Sequence, residues 1–213
     1  IPFEWKHVCR GILRGLSFSY QLGRPFTKMC DGPVVRCVLR SEFDHWLLRR
    51  AEVAGVTVRE QYTVAGLTHG RGGSLTVSGT GDPLSATIVV GADGANSVVG
   101  RVLNARRDFF WQVALYCEVP QAYLNIDTID YESVRVDWGT LPSGYAWLFP
   151  KSGFVNVGVG CPWLGAFLLH SYLVRFLRAE RVLKPGALEK LAFKGHQLPT
   201  LTRRTKLSGS NVV

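Results

Sequence analysis

Methionine, acidic residues and long apolar runs are all scarce in this sequence. Met29 is the single methionine among 213 residues, and the chain opens on Ile1. At the other end an apolar run has only begun at Asn211-Val212-Val213. We therefore expect an internal fragment of a longer protein. The 16 acidic residues are outnumbered by 25 Lys and Arg, which leaves a formal net charge of +9. Basic residues gather at Arg101, Arg106 and Arg107, at Arg175, Arg178 and Arg181, and at Arg203, Arg204 and Lys206. An excess of this kind attracts nucleic acid, anionic lipid or phosphorylated substrates, or serves only as a solvated face. No helix-turn-helix, zinc-finger or RNA-binding aromatic motif accompanies it, which argues against a nucleic-acid partner. The longest apolar run, Trp163 to Leu177, is too short to span a bilayer and is interrupted by His170 and Arg175.

Paired cysteines are missing as well. Cys9, Cys30, Cys37, Cys117 and Cys161 are odd in number and scattered, with no Cys-x-x-Cys and no His spacing suited to a metal. There is no Asn-x-Ser/Thr acceptor, and these 213 residues contain no signal-peptide pattern, which a preceding segment would carry. Free thiols in a reducing, cytoplasmic setting are the expectation. Hydrolase elbows, Walker loops, His-Glu-x-x-His and Gly-x-Gly-x-x-Gly are absent too.

What is present reads as ordered mixed α/β protein, 46% hydrophobic and 19% charged. Alternation predicts strands at Leu16–Tyr20, from Phe26 and at Val34–Leu39, with a turn at Gly23. Ser41, with Asp44 three residues on, has capping-box spacing for a helix that Gly55 stops. Phe43, Trp46, Leu47, Ala51 and Ala54 form its apolar stripe. Further strands are expected at Val56–Glu60, Tyr62–Leu67, Ser74–Ser78 and, as a buried run, Thr87–Val90. Ser97 is placed to cap a short helix. From Phe109 the pattern turns mostly β, with strands at Trp111–Val119 and Tyr131–Trp138, and a helix follows from about Trp163 to Arg181.

The most informative stretch is Tyr145-Ala146-Trp147-Leu148-Phe149-Pro150, then seven residues, then Gly158-Val159-Gly160. On a hairpin, Tyr145, Trp147 and Phe149 share one face, and Val155, Val157 and Val159 share another. Gly158 and Gly160 leave the remaining face bare, which makes room for a flat or long apolar ligand and equally suits a core hairpin with twist-relieving glycines. Gly158-x-Gly160 is not a dinucleotide loop, because Trp163 stands where the third glycine belongs. Two further candidates bear on anions. Asp93-Gly94, in Gly91-Ala92-Asp93-Gly94-Ala95-Asn96-Ser97, closes a strand where open α/β sheets bind ligands, although Asp-Gly also marks an ordinary turn. Arg40 precedes a helix, where positive charge is unfavourable, so an anionic partner or an ion pair with Glu42 or Asp44 is expected. Asp127, Asp130, Glu132 and Asp137 read as an acidic patch on solvated strand edges.

The Tyr-x-Trp-x-Phe-Pro stretch with its following Gly-x-Gly resembles the substrate-domain signature of the geranylgeranyl reductase family of flavoproteins. Gly91 to Ser97 resembles the second conserved motif of the p-hydroxybenzoate hydroxylase-type fold. Arg40-x-x-Phe43-Asp44-x-x-Leu47 and Gly195-His196-x-Leu198-Pro199 follow in the family's order. The resemblance implies a partial FAD-binding domain interleaved with a β-rich substrate-binding domain. Its boundaries would be 1–37 for strands leading into the substrate sheet, 38–107 for FAD-binding, 108–200 for the substrate sheet and 201–213 for the return. It implies FAD contacts at Arg40, Val64, Asp93 and Gly94, and a prenyl-lipid surface at Tyr145, Trp147, Phe149, Gly158 and Gly160. NAD(P)H or another donor would reduce the flavin. The implied reaction is reduction of isoprenoid double bonds of a lipid, chlorophyll precursor or quinone, with peripheral contact to a membrane. A flavin-dependent aromatic hydroxylase or halogenase and a non-catalytic isoprenoid-binding module are the alternatives. The family's N-terminal Gly-x-Gly-x-x-Gly and C-terminal Gly-Asp motif do not occur, so this chain by itself is expected to bind FAD poorly.

Overall fold

Strict alternation in Leu16-Ser17-Phe18-Ser19-Tyr20 and Val134-Arg135-Val136-Asp137-Trp138 gives each strand two unlike faces, and the sheet built from them has the same duality. The computed structural model describes residues 6–103, 109–205, 207–209 and 211–212, so Arg106, Arg107 and Lys206 of the basic clusters lie outside the described residues. The chain opens with β1 (Cys9–Leu13), β2 (Gly15–Tyr20), β3 (Phe26–Met29) and β4 (Val35–Val38). Strands β1 and β4 form a separate pair, which packs Leu13 and Cys37 against Val134 and Phe149. Strands β2 and β3 join a larger sheet with β8 (Phe110–Pro120), β9 (Ser133–Trp138), β10 (Tyr145–Lys151), β11 (Phe154–Pro162) and β12 (Lys194–Thr200). The order across its seven strands is β12-β8-β11-β10-β9-β2-β3. The neighbours β3/β2, β9/β10, β10/β11 and β11/β8 are antiparallel, whereas β2 runs parallel to β9.

One sheet face carries the main core. Helix α3 (Leu169–Ala179) sets Leu169, Tyr172, Leu173, Phe176 and Leu177 against Val155, Val157, Val159, Ala146 and Leu148. The three valines are completely buried, as their alternation requires. Residues 163–168 ahead of α3 form a tighter 3-10 turn, so the α-helix begins six residues later than the apolar pattern predicts.

The chain divides into two compact units, one of residues 1–55 and 112–196 and one of residues 56–111 and 197–213. Helix α1 (Arg40–Val53) belongs to the first. Its N-cap is Leu39, without a side-chain cap bond, and not Ser41; Arg40 takes Asp44 as an i,i+4 partner and removes it from any capping box. Gly55, at φ +94°, ends the helix as expected.

The second unit holds β5 (Val64–His69), β6 (Leu75–Gly79), β7 (Leu84–Ala86) and the short helix α2 (Val98–Val102). Two expected strands do not form here. Val56–Glu60 has no strand pairing among the described residues. In Thr87–Val90 only Val89 pairs, through one parallel bridge to Val212, and Ile88 and Val90 are 62% and 70% exposed. A continuous apolar run becomes a buried strand only when neighbours flank it on both sides, and Val89 alone has such a neighbour. Leu75, Val99 and Val212 make the small core of this unit.

Candidate functional site

The face of the large sheet opposite α3 is a wall of aromatic side chains. Cross-strand register puts Tyr145 beside Trp138 and Trp138 beside Tyr20; Trp147 lies beside Val136, and Val136 beside Phe18. Phe26 extends the row beyond Phe18, and Tyr116 flanks it across Gly158. Ring centroids are 5.6 Å apart for Tyr145–Trp147 and 5.4 Å for Phe18–Trp138, both in tilted contacts. Tyr20, Trp138 and Tyr145 are each about half exposed. The β1/β4 pair covers the Phe149 end of this wall, because Phe149 packs with Leu13 and Val134. The Tyr145 end stays open.

The two glycines on the returning strand differ. A Cβ on Gly158 would lie 2.3 Å from Cζ2 of Trp147 and 2.7 Å from Cβ of Tyr116, so the indole itself fills the space the glycine leaves. The same test at Gly160 meets nothing closer than 3.5 Å. Trp147 is further fixed by donating from Nε1 to Oδ1 of Asn156 at 2.9 Å. Tyr145, Trp147, Gly158 and Gly160 thus form one continuous surface, in which Trp147 is a locked platform and the space beside Gly160 is open. Phe149 belongs to the covered end.

Beneath this wall lies a polar network, and it corrects the expectation that Asp137 sits on a solvated edge. Asp137 is completely buried. Its carboxylate accepts from the Tyr172 hydroxyl at 2.6 Å, the Leu22 amide at 2.8 Å and the Ser19 hydroxyl. Arg135 donates to Ser19 at 2.7 Å and makes a bidentate pair with Glu180 at 2.7 and 3.1 Å. Burial and the Asp137 bond push the Tyr172 hydroxyl above its ordinary range. Pairing β2 and β9 in parallel turns Ser17, Ser19, Arg135 and Asp137 toward α3, and the network satisfies what would otherwise be costly orphan groups. The signal lay in the alternation of β2 and β9, which also predicts that Phe18, Tyr20 and Trp138 join the wall; without knowledge of the pairing, neither set could be assigned.

In the second unit, Asp93 and Gly94 line a shallow pocket with Gly91, Ser97, Leu103 and Phe109. Gly94 adopts φ +76°, and a Cβ there would meet nothing within 4 Å, so backbone at this turn is openly accessible. The Asp93 carboxylate turns inward on its own helix. Oδ2 accepts from the Val98 amide at 2.6 Å, Oδ1 accepts from the Ser97 hydroxyl, and Ser97 Oγ caps the Gly100 amide at 2.7 Å. Partial burial raises the Asp93 pKa, and these bonds outweigh it, so the net displacement is downward. Val64 opens β5 opposite Gly79. Arg40 stands in the first unit with its side chain 80% exposed, paired with Asp44. The cofactor candidates are thus split between the two units, whereas the substrate candidates lie together on one sheet.

No family model matches the chain. A digeranylgeranylglycerophospholipid reductase of Methanosarcina mazei is 31% identical over 141 residues, 62% of this chain and 34% of that protein. A geranylgeranyl diphosphate reductase of Rhodobacter capsulatus is 31% identical over 155 residues, 67% of this chain and 38% of that protein. The chain spans between a third and two fifths of these relatives' length. Among solved structures, a geranylgeranyl bacteriochlorophyll reductase-like protein of Thermoplasma acidophilum superposes with a TM-score of 0.75 at 20% identity, over all of this chain and 56% of that one. The fold extends to halogenases; halogenase PltM matches with a TM-score of 0.64 at 13% identity, over 92% of this chain and 45% of that one.

Proposed function

Since the chain belongs to the geranylgeranyl reductase family, we propose that it supplies the substrate-binding sheet of an FAD-dependent oxidoreductase that saturates isoprenoid double bonds. The observation that carries this reading is the half-exposed aromatic wall, open at Tyr145 and Gly160 and anchored by the locked indole of Trp147. A prenyl chain is long, flat at each double bond and apolar, and it buries against such a wall with little loss of protein freedom. Tyr145, Trp147 and Gly160 hold and orient it, and Trp138 and Tyr20 extend its track.

FAD fits the residues of the second unit in part. Gly94 offers accessible backbone for a diphosphate, whereas Asp93 already serves the cap of α2 and keeps little accepting capacity. Arg40, exposed and held by one exchangeable ion pair, is the cation suited to an anionic cofactor. The chemistry that FAD would supply when bound and reduced is hydride transfer to an alkene carbon, with a proton required at the other carbon for saturation. The chain's own contribution is to position the alkene and exclude water. We assign residues 56–111 and 197–213 to the flavin-binding part, and take NAD(P)H as the source of electrons. A substrate of this kind resides in a bilayer, so peripheral membrane contact belongs to the reading.

The test is prenyl binding and turnover. Geranylgeraniol should quench the tryptophan fluorescence of the chain, and Trp147→Ala should weaken that binding about tenfold, the loss of roughly half a buried aromatic side chain. In the intact protein, geranylgeranyl diphosphate with reduced FAD should gain one hydrogen pair per double bond consumed. Oxygen-dependent hydroxylation or halogenation of an aromatic instead, with no reduced prenyl product, would refute the reductase assignment.

A further inference from the structure

Three large apolar side chains stand in solvent immediately beyond the open end of the aromatic wall. Trp163, Leu164 and Phe167 are 54%, 88% and 80% exposed. They belong to the 3-10 turn of residues 163–168, where positions three apart eclipse, so Leu164 and Phe167 form one apolar ridge. The inner side of the turn is braced: Ala166 and Leu168 pack on the main core, and a Cβ on Gly165 would come within 2.9 Å of the Cys161 sulfur. The exposure is thus a property of a supported element.

Along the segment from the ridge through α3 the charge has one sign. No Asp or Glu occurs from Trp163 to Ala179. Along α3, Arg175 and Arg178 are exposed while the opposite side is buried. Exposed Lys194 opens β12 next to Phe193, whose ring is 5.3 Å from that of His170 on α3. No helix among the described residues is long and apolar enough to cross a membrane.

We propose that this surface docks the protein onto an anionic lipid bilayer. Trp163, Leu164 and Phe167 enter the boundary between headgroups and acyl chains, and Arg175, Arg178 and Lys194 meet lipid phosphates. The docking rests on the prenyl-lipid reading for its purpose. The ridge leaves the sheet at Pro162, two residues after Gly160, which at strand rise is about 7 Å from the open end of the wall. A prenyl chain leaving the bilayer at the ridge therefore arrives at the Tyr145–Gly160 end of the hairpin rather than at its Phe149 end.

The experiment is flotation of the chain, without flavin or substrate, with vesicles of phosphatidylcholine and phosphatidylglycerol. Recovery with the vesicles should be strong at low salt. In pure phosphatidylcholine it should fall about fivefold for each of the three cations left without an anionic headgroup. The variant Trp163→Ser/Leu164→Ser/Phe167→Ser should lower partitioning at least tenfold. Arg175→Glu/Arg178→Glu, which alters exposed side chains only, should abolish the salt dependence and guards against a ridge variant that fails to fold. Equal flotation by wild type and both variants, or none by wild type at low salt, overturns the proposal. So does a concentration-dependent dimer that the ridge variant abolishes, since the ridge would then meet a second copy. Geranylgeraniol quenching in vesicle-free buffer separates the two readings. Absent flotation with quenching intact removes only the docking surface, and absent quenching with flotation intact removes only the prenyl site.

Discussion

Replacing Gly158 by alanine should destabilise the first unit, whereas the same change at Gly160 should not. The added Cβ at 158 would sit 2.3 Å from the Trp147 ring and 2.7 Å from the Tyr116 Cβ, so the indole must leave its place. Overpacking of this kind costs about 1–3 kcal/mol. Loss of the Trp147–Asn156 bond adds about 1 kcal/mol. Against this, removing a strand glycine gains roughly 0.5–1 kcal/mol of chain entropy, leaving a net loss of about 1–3.5 kcal/mol. At Gly160 the nearest atom to a new Cβ is 3.5 Å away, so the entropy gain stands and the change is neutral or stabilising by up to about 1 kcal/mol. Urea unfolding followed by far-UV circular dichroism reads both, with an unchanged slope certifying that the compared states are alike. In a Trp147→Ala background the Gly158→Ala penalty should shrink by at least about 1 kcal/mol, with a remainder due to Tyr116. Two alanines of equal effect, or a penalty indifferent to the indole, would refute the claim that Gly158 exists to seat Trp147.

Three other outcomes follow from the same geometry. Asp137→Ala should cost about 3–5 kcal/mol, because it strands Tyr172, Ser19 and the Leu22 amide in the interior, and Tyr172→Phe should cost only about 1–2 kcal/mol; chemical denaturation of both variants checks the ratio. The Asp93 pKa is lowered on folding, so the stabilisation it confers on the second unit is present above the ordinary aspartate range near 4 and is lost as pH falls through the lower folded value. The protection of the Val98 and Gly100 amides, measured against the exchange of an unstructured chain at the same pH, should therefore fall on acidification, and Asp93→Asn should remove that pH dependence. Burial pushes the Cys117 thiol up to about 12, and Cys37 and Cys161 are raised by the same cause. Partly exposed Cys9 and Cys30 should react with a thiol reagent at neutral pH while the other three wait for unfolding, as counted by mass spectrometry.

The elements that local chemistry decides were legible in the sequence: the β10/β11 hairpin, its valine core face, its aromatic face and the Ser97 cap all follow from alternation and spacing. What depended on distant neighbours was not. Thr87–Val90 has the composition of a buried strand, yet its fate hangs on which strands flank it. Leu39 caps α1 because Arg40 captures Asp44, a competition that spacing alone leaves open. Asp137 looks like an edge carboxylate until β2 arrives beside β9 and turns it inward. The wall met the same limit: Tyr145, Trp147 and Phe149 could be named, while Tyr20, Phe18 and Trp138 joined them only through pairing between segments far apart.

That parallel pairing also sets a schedule for the newborn chain. Ser19 and Asp137, joined in the finished sheet, are 118 residues apart. At about 5–20 residues per second, β2 emerges roughly 6–24 s before the strand that will cover its free edge. In that interval β3 protects one side of β2, and the other presents unpaired amides beside Phe18 and Tyr20. Closing so long a loop is slow, and waiting edges of this kind are where neighbouring chains add themselves. The aromatic strip that suits a greasy ligand in the mature protein is, during synthesis, an uncovered apolar edge.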